Sequence, residues 1–282
     1  MNAGESILVL GATGGQGGAV AAALGRRDVP IRALVRRAES AGAQRLGAQG
    51  AELATGTLDD VDALTAAMSG IRAVFAMTTP FEGGTDAEIA QGRTILAAAA
   101  QARVPHLVFS SVASADADSG VPHFESKAVI ERDLRDGDVP FTILGPTYFF
   151  ENALSGLDEL RAGVLDLPLP GDRPLQQVAR RDLGEFAARV LTAPAEYVGR
   201  RIELASDAPT PEQMAAAFAA ALGRPVEHRT SDPSRIGNAD MRAMWTFLNR
   251  QGYSVDLAAL HAEAPDVAWT TYEDWARQAL NA

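Results

Sequence analysis

Short apolar runs alternate with longer alanine-rich segments along the first half of the chain. The pattern predicts strands at residues 7–10, 31–35, 51–55, 73–77, 106–110 and 141–144. It predicts helices at residues 19–24, 61–68, 86–103 and 124–135, the first of them continuing from a glycine-rich loop. Regular alternation of strand and helix is typical of right-handed βαβ units in a parallel sheet. The strands are continuous apolar runs, as expected when both faces of the sheet are covered.

This rhythm changes after Gly145 and Pro146, where several prolines indicate irregular chain. Helices are predicted at residues 182–191, 211–222, 240–248, 256–262 and 271–280, with a strand at 201–204. The sequence therefore predicts an α/β fold with a Rossmann-type doubly wound parallel sheet in residues 1–150. Residues 151–282 are predicted to form a smaller α/β C-terminal domain that completes a substrate cleft, with some segments returning to the sheet.

Composition and charge restrict the classes of function. The formal net charge of the 282 residues is −11, which opposes direct binding of nucleic acid or of an anionic membrane surface. The chain has no cysteine and only four scattered histidines, so neither a disulfide nor a metal site is expected. No apolar run approaches the roughly 20 residues of a membrane span. These features predict a cytoplasmic protein, either a monomer or a homodimer.

The loop between the first strand and the first helix carries the clearest motif. Three glycines, Gly11, Gly14 and Gly17, stand at the spacing G-x-x-G-x-x-G. In this context the first glycine permits a tight turn, the second lets the backbone approach a pyrophosphate, and the third lets helix and strand pack closely. The alternative is a merely flexible turn, but the flanking strand and the βαβ rhythm favour dinucleotide binding. The predicted contacts are Gly11, Ala12, Thr13, Gly14, Gly15, Gln16 and Gly17.

Two further positions bear on the identity of the dinucleotide. A site that prefers NAD usually places a carboxylate about 20 residues beyond the glycines, to hold the ribose 2′-hydroxyl. This chain has Arg36 and Arg37 there, and a guanidinium can pair with a 2′-phosphate, so NADP(H) is predicted, with Arg36 as the contact. Asp59 follows the third strand and is predicted either to accept a hydrogen bond from adenine or, like Asp60, to cap the next helix.

The order of several segments resembles the NmrA-like family, atypical members of the short-chain dehydrogenase/reductase superfamily, and most closely its NADPH-sensor type. The resemblance rests on the glycine loop, on Val35-Arg36-Arg37, on the segment from His123 to Lys127 and on the segment from Tyr148 to Asn152. It implies a Rossmann domain with a small C-terminal domain and NADP(H) along the strand ends. It also implies that Lys127 lies near the nicotinamide ribose and that Thr78 lies in a loop near the cofactor.

The segment from His123 to Lys127 departs from the usual catalytic motif of short-chain reductases. Ordinary short-chain reductases use Tyr-x-x-x-Lys, whereas this chain has His123 in place of the tyrosine and retains Lys127, its only lysine. Lys127 is predicted to bind ribose or supply a proton, because only an ammonium group is both compact and able to shift its pKa. His123 is either a replacement acid or a packing or capping residue. Tyr148 and Phe149 are predicted to wall the nicotinamide side of the cleft, Tyr148 as a third catalytic candidate and Phe149 as a cofactor contact, with core packing as the alternative.

Two functions compete on this sequence. The first is an NADPH-dependent reductase of quinones, enones or apolar carbonyls, in which the cofactor carries the chemistry. Quinones and enones tolerate the missing tyrosine better than simple ketones do, because their protonation can follow later. The second is a non-enzymatic sensor of the NADPH/NADP ratio that regulates a protein partner. The predicted partner is therefore either a small apolar substrate or a regulatory protein.

Overall fold

A computed structural model describes residues 6–281. Residues 1–5, at the start of the first predicted domain, and residue 282, at the end of the second, lie outside this range. Its main feature is a seven-stranded parallel sheet with the strand order β10-β6-β5-β4-β1-β2-β3. The order of the strands reverses between β1 and β4, since β2 and β3 follow on one side and β5 and β6 on the other. Open α/β sheets form their ligand crevice at such a reversal point. In chain order, the strands β1 to β11 are Ile7–Val9, Ile31–Val35, Glu52–Thr55, Ala73–Met77, Leu107–Ser110, Phe141–Pro146, Tyr148–Phe149, Val164–Leu167, Gln177–Val178, Arg201–Leu204 and Glu227–Thr230.

Helices cover both faces of this sheet. In chain order, α1 to α12 are Gly15–Gly25, Ala41–Ala48, Val61–Met68, Gly84–Gln101, Pro122–Arg135, Leu157–Arg161, Arg180–Thr192, Pro194–Tyr197, Pro211–Leu222, Ala239–Arg250, Leu257–Glu263 and Tyr272–Asn281. One apolar core lies between the sheet and the helices α1 and α7, and a second lies on the opposite face under α3, α4 and α5. The predicted Rossmann-type doubly wound fold is confirmed.

The C-terminal part of the chain divides between the sheet and a separate core. Strand β10 pairs in parallel with β6 at the edge of the main sheet, and α7 packs along α1. The remainder, chiefly α9, α10 and α12, packs its apolar faces around Phe218, Trp245 and Trp275 in a third core. A two-stranded sheet of β8 and β11 lies beside this core, which makes the smaller C-terminal lobe an α/β unit.

The longer elements lie where the apolar pattern predicted them, and the missed elements are short or polar. Helix α2 was not predicted, because Gly42, Gly47 and its polar positions leave only a weak apolar stripe. Strands β7 and β9 have two residues each and are too short to produce a detectable pattern. Among the helices of residues 6–281, none combines the length and the hydropathy required to cross a membrane.

Candidate functional site

Two adjoining cavities open at the carboxyl ends of the sheet strands. The glycine-loop groove, of about 490 Å³, runs over the loop between β1 and α1 and past the ends of β2 and β3. The inter-lobe cavity, of about 480 Å³, lies between the sheet and the C-terminal lobe. Gln16, Met77 and Thr79 line both cavities, so the two spaces meet at the ends of β1 and β4. A long ligand in the groove would present one end to the cavity.

The glycine loop has the close packing that its spacing predicts. Gly11 has a φ of +69°, a left-handed conformation that side chains disfavour. A Cβ atom on Gly17 would lie 2.4 Å from the carbonyl carbon and oxygen of Gly11, so only glycine lets α1 start here. Helix α1 begins after Gly14, and no side chain of the described residues caps it. Its first N–H groups therefore remain available to an anion.

The predicted contact residues of this loop fall into two groups. Gly11 and the residues from Thr13 to Gly17 line the groove. Ala12 instead has its side chain buried in the core beneath the loop, with an exposed fraction of 3%. Any contact of Ala12 with a ligand in the groove would therefore involve its backbone alone.

The far end of the groove carries Arg36 and Asp59. The Arg36 guanidinium is largely exposed, and its Nη1 lies 3.5 Å from Oε2 of Glu82 across the groove. Asp60, not Asp59, caps α3, since its side chain accepts from the backbone N–H groups of Asp62 and Ala63. Asp59 is left lining the groove. Of its two predicted roles, contact with adenine is thus the one compatible with its position.

Lys127 lies in a buried polar cluster in the wall of the inter-lobe cavity. Its ammonium group donates to the Thr78 carbonyl at 2.7 Å and to the Thr78 hydroxyl at 3.0 Å, and it lies 2.9 Å from the carboxylate of Glu88. Glu88 is fully buried and also accepts hydrogen bonds from the hydroxyls of Thr78 and Ser126. Burial lowers the pKa of Lys127, and the charge of Glu88 opposes that shift. All three ammonium protons thus have acceptors within the protein.

His123 joins the two lobes at the mouth of the same cavity. It is the second residue of α5, and its Nδ1 lies 2.5 Å from Oδ1 of Asp240 at the start of α10. The ring packs edge-on against Phe124 and faces Phe81 at 6.0 Å between centroids. Because the carboxylate fixes Nδ1, Nε2 is the ring nitrogen left to a ligand of the cavity.

Aromatic and methionine side chains form most of the remaining cavity wall. Tyr148 packs against Trp245 with centroids 5.4 Å apart, and burial raises its pKa to about 12. Phe149 lies beneath the guanidinium of Arg180, with 5.8 Å between its ring centroid and Cζ. Both residues line the inter-lobe cavity. Further apolar lining comes from Phe81, Phe124, Met241, Met244 and Tyr253.

Four residues of the candidate site were not predicted from the sequence. Asp240 and Arg180 belong to helices far along the chain from the motifs they contact. Glu88 is one acidic residue within a long helix, and nothing in its sequence neighbourhood marks it as buried. Phe81 has an exposed fraction of 71%, which is high for an aromatic side chain at a cavity mouth. Only tertiary structure reveals these contacts, since no local spacing encodes them.

Comparison with known proteins places the chain among relatives with the same organisation. The model of the NmrA-like family matches residues 4–276. The chain belongs to the NmrA-like family. The resemblance drawn from the glycine loop and the His123 to Lys127 segment is thereby confirmed.

Individual relatives are reductases and oxidoreductases, two of them named for their use of NAD(P)H or NADPH. An NAD(P)H azoreductase of Xenophilus azovorans is 30% identical over 223 residues, covering 79% of this chain and 76% of the relative. A (4-alkanoyl-5-oxo-2,5-dihydrofuran-3-yl)methyl phosphate reductase of Streptomyces griseus is 33% identical over 224 residues, covering 78% and 75%. The Escherichia coli NADPH-dependent quinone oxidoreductase QOR2, solved with NADPH, superposes with a TM-score of 0.83 at 27% identity, covering 98% of this chain and 100% of that one.

Proposed function

We propose that this protein is an NADPH-dependent reductase of quinones, enones or other apolar conjugated acceptors. The observation that carries the proposal is the continuity of the two cavities at Gln16 and Met77. A dinucleotide in the groove would thus have its reactive end beside an aromatic cavity that contains a histidine. The activities of the azoreductase and quinone oxidoreductase relatives support the same reaction class.

The residues present fit NADP(H). The positive φ of Gly11 and the close approach of Gly17 form a loop against which a pyrophosphate can lie, and the uncapped start of α1 offers N–H donors. Arg36 would pair with the 2′-phosphate. This pairing would replace its long contact to Glu82. Asp59 would accept from the adenine amino group. When bound, the nicotinamide supplies a hydride to the acceptor.

The cavity wall determines which acceptors fit. Its aromatic and methionine lining favours a flat apolar molecule, and the exposed ring of Phe81 at the mouth offers a stacking surface. A quinone that gains a hydride becomes a hydroquinone anion, whose charge is delocalised over the ring. One proton then completes the hydroquinone, so the reaction consumes one acceptor, one hydride and one proton. Reduction of a quinone can therefore proceed with a weaker proton donor than reduction of a simple ketone needs.

We assign the proton to His123 rather than to Lys127 or Tyr148. The ammonium group of Lys127 is fully engaged by Thr78 and Glu88, and its main role is to order the cavity wall. Tyr148 is a poor acid because its pKa is raised to about 12. His123 keeps Nε2 for a ligand, and the contact of Nδ1 with Asp240 orients the ring toward the cavity.

The test is NADPH oxidation by the purified protein across a panel of quinones, enones and aldehydes, with NADH as the second cofactor. The expected result is turnover of quinones and enones, weaker turnover of aldehydes and a preference for NADPH. Binding of NADPH is measured on the same samples by titration calorimetry. Tight binding without turnover of any class would contradict the reductase and favour a sensor that regulates a protein partner.

A further inference from the structure

Arg180 occupies the junction between the two cavities. It is the first residue of α7, and its backbone N–H donates to the carboxylate of Glu151 at 3.1 Å. Its side chain lines the inter-lobe cavity and passes over Phe149 toward the start of α1. Since α7 packs along α1, the backbone of Arg180 is held by the main core and not by a surface loop.

The guanidinium of Arg180 lies directly against Gly15. A Cβ atom on Gly15 would lie 2.8 Å from Cζ and 2.9 Å from both Nε and Nη1 of Arg180. Gly15 is not one of the three spacing glycines, so the dinucleotide motif alone does not require it. The contact with Arg180 supplies the reason, because any side chain at position 15 would displace the guanidinium from the N-terminus of α1.

The charge of Arg180 is only loosely paired. Within residues 6–281, the carboxylate nearest its guanidinium is that of Glu151, with Nε 3.9 Å from Oε2. Its guanidinium makes no hydrogen bond to another described residue, and the side chain is 39% exposed. A planar group with five N–H donors thus lies beside the free N–H groups of α1. Together they present a full positive charge and backbone N–H donors where the inter-lobe cavity adjoins the groove.

We propose that Arg180 binds the pyrophosphate of the dinucleotide beside the N-terminus of α1. This assignment rests on the proposed function, in that the ligand of the groove is NADP(H). The helix N-terminus contributes only partial positive charge, whereas a pyrophosphate diester carries two negative charges. Arg180 supplies the full charge that the glycine loop lacks, and the absence of a side chain at Gly15 leaves space for its approach.

The test compares Arg180→Met, which keeps the length of the side chain, with the wild type. Calorimetric titrations use two probes, NADPH and adenosine 2′-monophosphate, the second of which lacks the pyrophosphate. Arg161→Met is the control, because Arg161 is exposed and its only ion pair in the described chain is a 3.9 Å contact to Asp158. Thermal unfolding of each variant verifies that it folds.

We expect Arg180→Met to raise the Kd of NADPH at least tenfold, to reduce its dependence on salt, and to leave the Kd of adenosine 2′-monophosphate unchanged. Gly15→Ala should also weaken NADPH binding, and far less so in an Arg180→Ala background.

An unchanged Kd of NADPH overturns the assignment, as does equal weakening of both probes. An unchanged Kd of NADPH with a raised KM for a sulfonated quinone would instead place a substrate anion at Arg180. If the wild type binds no NADPH, the proposed function itself fails.

Discussion

The glycine-loop groove and the inter-lobe cavity lie side by side, yet the chain builds them in opposite ways. Backbone from consecutive residues forms the critical part of the groove, where a Cβ atom on Gly15 or Gly17 would collide with neighbouring atoms. Side chains from separate segments form the cavity, where His123 on α5 meets Asp240 on α10. Substitutions in the groove should therefore change cofactor affinity, and substitutions in the cavity should change turnover or the stability of its wall.

The largest effect is expected from Gly17→Ala. The new Cβ atom would lie 2.4 Å from backbone atoms of Gly11, which cannot move without displacing the turn. NADPH binding should be lost at any practical concentration, and the melting temperature should fall. Gly25→Ala is the matched control, because it lies in the same helix with no atom within 4 Å of the new Cβ. Normal NADPH affinity in Gly17→Ala would contradict the role assigned to the groove.

This contrast also explains how much could be predicted from the sequence. The βαβ order and the glycine loop depend on local patterns, so the sheet, its first six strands and the groove followed from the residues. Asp240 could not be found, because nothing near it in the chain indicates that α10 packs against the start of α5. The same holds for Glu88, whose burial beside Lys127 depends on how α4 packs against α5.

Lys127→Met should have the next largest effect, on stability. Its removal leaves the buried carboxylate of Glu88 without its cation, which typically costs about 3–5 kcal/mol of unfolding free energy. Denaturant unfolding measures this loss. The double variant Lys127→Met with Glu88→Gln should recover part of it, since the amide can accept from one of the hydroxyls of Thr78 and Ser126 and donate to the other. A stable Lys127→Met that binds NADPH weakly would instead favour a direct contact with ribose.

His123→Phe should lower kcat with quinones by about 10²–10⁴-fold, the usual contribution of a general acid, and leave the Kd of NADPH unchanged. Tyr148→Phe is the matched control in the same wall, and its kcat should stay within a few-fold of wild type, since a phenol with a pKa of about 12 is a weak acid. The kcat of Asp240→Asn should lie between those of His123→Phe and Tyr148→Phe. Added imidazole should restore part of the activity of His123→Phe. Equal kcat in all three variants would show that the proton comes from elsewhere.

The smallest of these effects concerns the choice of cofactor. Arg36→Asp should raise the Kd of NADPH by about 10–100-fold, the value of one or two charge-assisted hydrogen bonds, while the Kd of NADH changes little. Arg37→Asp changes the adjacent charge by the same amount but does not line the groove, so it is the matched control. Should both variants lose NADPH and NADH affinity equally, the preference for the 2′-phosphate would have to reside at another position.

The most direct test of the central claim, that a cofactor in the groove reacts with a substrate in the cavity, is a single-turnover experiment. Wild-type protein loaded with one equivalent of NADPH is mixed rapidly with a substituted benzoquinone, and the NADPH absorbance is followed. The account predicts an exponential decay whose rate saturates with quinone concentration, together with one equivalent of hydroquinone. Bound NADPH that decays no faster than free NADPH with the same quinones would contradict it.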